Sequence, residues 1–207
     1  ERMFMEFGLP VEIKSSGQSR TICVNKASQI YPQDIKVPGD FSSASFFILA
    51  ALICPDSSIK IKNVGINETR IGFLHALRHM GANIELINVK NTSEATADIL
   101  VKTSSLKGIS LNTALVANMI DEMPAFFVAA ALAEGITIVK DAKELRTKES
   151  DRLQAMADSL NAFGIKNELS KDGIVIHGIG SEGTLNSAEI DSYGDHRIAM
   201  ASAIGSL

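Results

Sequence analysis

The chain has 207 residues, enough to bury a sizeable core without disulfides or metals to staple it. Its hydrophobic fraction of 45% and charged fraction of 21% are those of an ordinary globular protein, and a formal net charge of -4 leaves no basic footprint for DNA or RNA. Cys23 and Cys54 are its two cysteines and form no CxxC pair, which argues against a disulfide framework or a thiolate metal site and points to a reducing, cytoplasmic setting.

The chain opens at Glu1 with no signal-peptide pattern, and Leu207 falls inside a stretch that reads as a helix, so both ends are expected to be cuts in a longer chain. Residues 1–37 contain a helix-like opening over 2–7 and the turn residues Ser15, Ser16, Gly17 and Pro32, but they fit no repeat. They are read as the end of a neighbouring, N-terminal domain, crossing over into a C-terminal repeat domain at 38–207.

Within that domain, residues 37–86 resemble residues 118–169 feature by feature. Each copy opens with an acidic turn, Pro38-Gly39-Asp40 in one and Asp121-Glu122-Met123-Pro124 in the other. Each turn leads into an apolar helix, over 43–54 and 125–133, where Phe46-Phe47 answers Phe126-Phe127. The longest apolar run, 44–54, is interrupted by Ser45 and falls far short of the roughly 20 residues of a membrane helix. After Pro55 and Gly135 come β-type runs at 58–64 and 136–139. An amphipathic helix follows in each copy, ending at Leu77, Met80 and Gly81 or at Leu160, Phe163 and Gly164, with the glycine where a left-handed cap belongs. Strand-like runs at 83–87 and 98–101, then at 166–169 and 173–177, close the units. A third copy opens at Tyr193-Gly194-Asp195-His196-Arg197 and enters an apolar helix over 198–207. The unit is therefore βαβαββ, present twice nearly whole and once as a start.

The first helix of each unit is apolar on every face, whereas Leu153, Met156, Leu160 and Phe163 form a single stripe on the second helix of copy two. The first kind must be surrounded, and the second kind covers. This predicts an α/β (α+β) fold, an inside-out α/β barrel built from βαβαββ repeats around buried parallel helices, truncated. The alternative is an α+β sandwich with a hydrophobic central helix.

If the core helices run parallel, their N-termini emerge together, each with unpaired N–H groups and about half an elementary charge. Asp40, Asp121 and Asp195 stand at those starts, with Arg197 two residues beyond the last. Asp40, beside Ser42 and Ser43, reads as a helix cap. The densest charge run is Leu145-Arg146-Thr147-Lys148-Glu149-Ser150-Asp151-Arg152. Stepping back four residues from Leu153 puts Glu149 on the buried row, flanked by Lys148 and Arg152, as in a closed cleft. The other reading is a solvated charge run at a helix start. His75 and His79 share a helix face at metal-ligand spacing, without a third ligand, and read as a surface pair. Gly178, Gly180 and Gly183 lack the context of a phosphate loop and read as turns.

Pro38-Gly39-Asp40-Phe41-Ser42-Ser43-Ala44, Asp121-Glu122-Met123-Pro124, the 145–152 run and Asp195-His196-Arg197-Ile198-Ala199-Met200, in this order and spacing, resemble motifs of the EPSP synthase family of enolpyruvyl transferases. The resemblance covers essentially the whole chain and corresponds to the family's C-terminal part. It implies two similar domains that close over the substrates, each made of three βαβαββ units around buried parallel helices. The implied activity is transfer of an enolpyruvyl group from phosphoenolpyruvate to the 5-hydroxyl of shikimate 3-phosphate, a step of aromatic amino-acid biosynthesis, with no metal and no organic cofactor. Residue by residue, the resemblance makes Asp121 the proton acceptor beside the shikimate hydroxyls and Glu149 the second acid/base group near the enolpyruvyl methylene. Lys148 becomes a shikimate-side contact. Arg152 and Arg197 hold phosphoenolpyruvate, a task suited to planar guanidinium groups, and His196 sits beside them. The expected partners are the two substrates and the N-terminal domain of the same protein, with neither nucleic acid nor membrane. Because that domain supplies further cationic contacts, residues 1–207 alone are expected to be inactive. One rival is UDP-N-acetylglucosamine enolpyruvyl transferase, whose motif differs around Arg197. Another is a non-catalytic repeat module whose charges only cap helices.

Overall fold

The computed structural model describes residues 1–17, 19–91 and 94–207. The chain begins with α1 (Arg2–Glu6) and an antiparallel hairpin of β1 (Val11–Ser16) and β2 (Ser19–Val24), Val11 pairing with Val24. Neither strand of the hairpin buries a residue.

The first repeat then runs α2 (Phe41–Ile53), β3 (Ser58–Gly65), α3 (Gly72–His79), β4 (Asn83–Lys90) and β5 (Thr96–Lys102). A short α4 (Thr113–Val116) leads to the second repeat: α5 (Met123–Ala131), β6 (Glu134–Val139), α6 (Arg152–Ala162), β7 (Asn167–Leu169) and β8 (Ile174–Ile179). The last element, α7 (His196–Gly205), opens a third. The two sheets have the same order, β3-β5-β4 and β6-β8-β7, with every neighbouring pair antiparallel.

The opening strand of each unit departs from the sequence reading. It is reduced to isolated parallel bridges, Gly39 with Val64 in the first unit, Lys107 with Glu134 and Ser110 with Ile138 in the second. In the first unit the neighbouring Pro38 has no N–H to extend a ladder. The glycines closing the amphipathic helices behave as read, with Gly81 at φ 93° and Gly164 at φ 83°, a region open to glycine at little cost. Gly178 does not form a turn. It lies within β8, packed so closely on the segment just past α5 that a Cβ would fall 2.1 Å from the Ala133 carbonyl oxygen.

The three apolar helices lie against one another. At one end, Ser42 of α2 bonds to Glu122, the residue preceding α5, and Arg197 of α7 bonds to the Asp121 carbonyl. At the other end, Leu52 and Ile53 of α2, Leu132 just past α5 and Gly205 of α7 line one groove of about 690 Å³. Starts meet starts and ends meet ends, so α2, α5 and α7 run parallel. Their enclosure is unequal among these residues. All nine residues of α5 are buried. In α2, however, Phe47 is 63% exposed, and α7 buries only Ile198, Ala201 and Ser202. The physical reason is position: α5 packs against α2, α3, α6, α7 and β8, whereas α7 has no sheet of its own within these residues. The stripe of α6 is as read, with Leu153, Met156, Leu160 and Phe163 all buried.

The weight of α5 in the core is testable at Phe126, which is fully buried there. Phe126→Ala is expected to lower the unfolding free energy by about 3–5 kcal/mol, read as a lower urea midpoint at unchanged slope. A loss below about 1 kcal/mol would mean that the surroundings of α5 close up without strain.

Candidate active site

Parallel packing places three helix N-termini, with their unpaired N–H groups and partial positive charge, at one end of the structure. Two of them are capped by aspartate. Asp40 accepts from the Ser43 N–H at 2.6 Å and from the Ser43 hydroxyl at 2.7 Å, and Asp195 accepts from the Arg197 N–H at 2.9 Å. The capping role read for Asp40 is therefore what the structure shows. At α5 the arrangement differs, since Glu122 occupies the N-cap position without a side-chain cap.

Asp121, one residue earlier, turns its carboxylate to three arginines. Arg152 Nη1 lies 3.3 Å from Oδ1, while Arg70 Nη2 and Arg197 Nη2 lie 3.4 Å and 3.6 Å from Oδ2. These arginines come from the first residue of α6, the loop between β3 and α3, and the second residue of α7.

Arg152 is 1% exposed, yet each of its nitrogens has a carboxylate. Nε donates to Asp195 at 2.8 Å, Nη1 to Asp121 at 3.3 Å and Nη2 to Glu149 at 2.5 Å. A guanidinium can serve three acceptors at once because its donors are fixed in a planar fork, and without them its burial would cost several kcal/mol. Ser150 adds a bond to the same Asp195 oxygen, at 3.2 Å.

The burial of Arg152 reverses one expectation. Asp151 caps α6 by accepting from the Gln154 N–H at 3.0 Å, so the helix begins at Arg152 and Glu149 lies outside it. The helical stripe cannot be extended past that cap. Glu149 is consequently half exposed, and Arg152 takes the buried place instead.

Four of the residues singled out in the sequence, Asp121, Glu149, Arg152 and Arg197, are thus joined in one cluster. Lys148 turns instead to Glu144, at 2.8 Å. His196 is the first residue of α7 and is exposed. Three members went unread: Arg70, Glu122 and Ser42. The signal for Arg70 was available, since a cation two residues before the N-terminus of α3 is disfavoured by the helix dipole and requires another partner. For Glu122 it was a second acid at the head of an otherwise apolar segment.

The carboxylates differ in environment. Burial pushes Asp195 up, but hydrogen bonds from Arg152 and the Arg197 N–H, with the charge of Arg152, more than reverse this and leave it below the usual range. Burial likewise raises Asp40, and bonds from Ser43 and Ser42 outweigh it. For Glu122 burial wins, and its carboxyl is raised despite Ser42, Arg70 and Arg197. Arg197 Nε is a buried donor with no partner among the described residues. A site with convergent guanidinium groups and carboxylates in unlike settings can bind an anion and move protons beside it. A hollow of about 270 Å³ adjoins it, lined by Glu149, Ser150, Asp151, Gln154, Ala155 and Tyr193. The larger groove lies at the opposite helix ends, away from this chemistry. Among the described residues no group of three or more His, Cys, Asp or Glu could hold a metal ion, and no helix is long and apolar enough to cross a membrane.

Comparison with known proteins gives matches over the whole chain. The model of EPSP synthase (3-phosphoshikimate 1-carboxyvinyltransferase) matches residues 1–207. A 3-phosphoshikimate 1-carboxyvinyltransferase of Geobacter sulfurreducens is 46% identical over 208 residues, which is 100% of this chain and 47% of that protein. One from Xanthomonas campestris is 50% identical over 205 residues, covering 99% of this chain and 45% of its own length. Among solved structures, EPSP synthase from Acinetobacter baumannii superposes with a TM-score of 0.91 at 39% identity, covering 99% of this chain and 46% of that one. The chain spans about half the length of the curated relatives it matches.

The buried Arg152–Asp195 pair has a measurable consequence. Asp195→Asn is expected to destabilise the protein by about 3–5 kcal/mol near neutral pH, because it strips a charge partner from an enclosed guanidinium. Since the Asp195 carboxyl is lowered in the folded state, its contribution is complete above the ordinary carboxylate range and fades as pH falls through its folded value. The difference between the two proteins in urea unfolding should therefore shrink below about pH 4. A difference independent of pH would contradict this.

Proposed function

The chain belongs to the EPSP synthase family, and on that premise we propose that the full-length protein transfers the enolpyruvyl group of phosphoenolpyruvate to the 5-hydroxyl of shikimate 3-phosphate and releases phosphate. The observation that carries this reading is the convergence of Arg70, Arg152 and Arg197 on Asp121 at the shared helix starts, with a half-exposed Glu149 on Arg152.

In this reading Arg152 and Arg197 bind anionic oxygens of phosphoenolpyruvate, with the unpartnered Arg197 Nε among the donors. The shikimate hydroxyl gives its proton to Asp121 as its oxygen bonds to the enol carbon, and the methylene gains a proton from Glu149. The product of this addition is a tetrahedral intermediate. Phosphate then leaves, its oxygen taking up the proton held by Asp121, as the new methyl group returns a proton to Glu149 and the double bond re-forms. One carboxylate must accept while another donates, and their unlike surroundings suit that division. Glu149 has to leave Arg152 Nη2 to reach the methylene, which opens an edge of the otherwise enclosed guanidinium to the substrate. Lys148 and His196 complete the proposed contacts, on the shikimate side and beside Arg197. Orientation and charge complementarity lower the barrier.

The wider architecture belongs to the same proposal. Residues 38–207 form the C-terminal repeat domain, two units and the start of a third of an inside-out barrel, and 1–37 end the N-terminal domain. The parallel core helices and a hairpin without buried residues support this division. The N-terminal domain closes over the arginine wall and supplies the remaining substrate contacts, so residues 1–207 alone are inactive. Such an enzyme would work in the cytoplasm, a setting that suits the free thiols of Cys23 and Cys54.

Phosphate release from the two substrates tests the reading. In the full-length protein, Asp121→Asn and Glu149→Gln are each expected to lower kcat by about 10²–10⁴-fold with the fold retained. Unchanged turnover in both would favour a non-catalytic module, and turnover by residues 1–207 alone would overturn the two-domain part of the proposal.

A further inference from the structure

Behind Asp121 runs a short polar chain that the proposed reaction does not use. Glu122 is 1% exposed, and its Oε1 accepts a hydrogen bond from the Ser42 hydroxyl at 2.5 Å. That hydroxyl oxygen accepts from Arg70 Nη2 at 3.0 Å. The same nitrogen is 3.4 Å from Asp121 Oδ2 and 3.8 Å from Glu122 Oε1. Ser42 belongs to α2, Arg70 precedes α3, and the two acids precede α5. One hydroxyl therefore links elements of both repeats.

A serine hydroxyl has one proton to donate and lone pairs to offer. In this arrangement Glu122 takes the proton, so the lone pairs are left to face the guanidinium. Without that acceptor the hydroxyl could rotate, and Arg70 would lose the contact that orients it. Arg70 needs such an anchor because its long side chain is half exposed, and an exposed ion pair to Asp121 alone would hold it weakly. Glu122 itself is costly. Its Oε2 is buried with no partner among the described residues, an arrangement that penalises stability and calls for a function. The charged groups facing it are Arg70, Arg197 and Asp121, and burial holds its carboxyl toward the neutral form, which an amide can imitate.

We propose that Glu122 is a positioning residue for Asp121: by orienting the Ser42 hydroxyl it fixes Arg70 against Asp121 Oδ2, while Arg152 holds Oδ1, so that the carboxylate is aimed from both sides. The inference rests on the proposed role of Asp121 as proton acceptor, and it assigns Glu122 no contact with substrate.

Steady-state kinetics of the full-length protein decide it. Glu122→Ala and Ser42→Ala are each expected to lower kcat about 10–100-fold, the scale of a small misplacement at a reacting group, with KM for both substrates changed by less than about twofold. The double variant should lose little more than the worse single, because both cuts fall in one relay. Glu122→Gln, whose amide oxygen can still accept from Ser42, should recover most of the kcat that Glu122→Ala loses. Wild-type kcat in Glu122→Ala, a loss confined to KM, or a Gln variant as slow as the Ala variant with its circular dichroism intact would each overturn the inference. Should Glu122→Ala not fold, Ser42→Ala carries the same outcomes as the smaller cut. A wild-type protein that releases no phosphate overturns the reaction and this role with it, whereas normal wild-type turnover with unaffected variants overturns this role alone.

Discussion

The guanidinium of Arg152 binds carboxylates from three separate stretches of chain: Asp121 before α5, Glu149 before α6 and Asp195 at the cap of α7. An arginine that is 1% exposed can stay charged there only if those groups arrive together, and they arrive together only if the apolar helices run parallel. The helix core and the charged cluster are thus one constraint seen from two ends. Helix starts favour the carboxylates through the dipole, and the carboxylates make a buried arginine tolerable. Reversing α5 or α7 would carry Asp121 or Asp195 away and leave the Arg152 charge short of a partner in the interior.

This coupling also explains why the chemistry concentrates where it does. Asp195 and Asp40 spend their oxygens on backbone N–H groups and neighbours, and so are structural. Asp121 caps nothing, and its carboxylate oxygens pair with Arg70, Arg152 and Arg197. Glu149 is held at a single point and is half exposed, which leaves it free to move relative to the fixed arginine. A wall of guanidinium groups with one half-exposed carboxylate and one contacted by three arginines suits the proposed addition and elimination.

Much of the fold could be read from the residues. The repetition of Phe46-Phe47 as Phe126-Phe127, the glycine caps at Gly81 and Gly164, and the contrast between apolar helices and the Leu153 stripe all depend on local periodicity, which sequence displays directly. The register around Glu149 could not be read this way, because the Asp151 cap stops the helix three residues short of where the stripe would carry it. The exposed faces of α2 and α7 escaped for another reason: burial depends on which neighbours are present, and an apolar helix does not state how many it has. Arg70 and Ser42 entered the site through contacts with Asp121 and Glu122 that span 51 and 80 residues, a distance at which no spacing rule operates. Motif resemblance gave roles to Asp121, Glu149, Arg152 and Arg197, since each sits in a dense local pattern; it gave none to Ser42 and Glu122, although both lie inside the same motifs.

The most direct test of the anion-binding wall is a crystal structure of the full-length protein with shikimate 3-phosphate and an unreactive analogue of phosphoenolpyruvate. Analogue oxygens are expected within hydrogen-bond reach, about 3 Å, of both Arg152 and Arg197, with Glu149 drawn off Arg152 Nη2 toward the methylene position. Ligands bound at the opposite helix ends, or touching neither arginine, would contradict it.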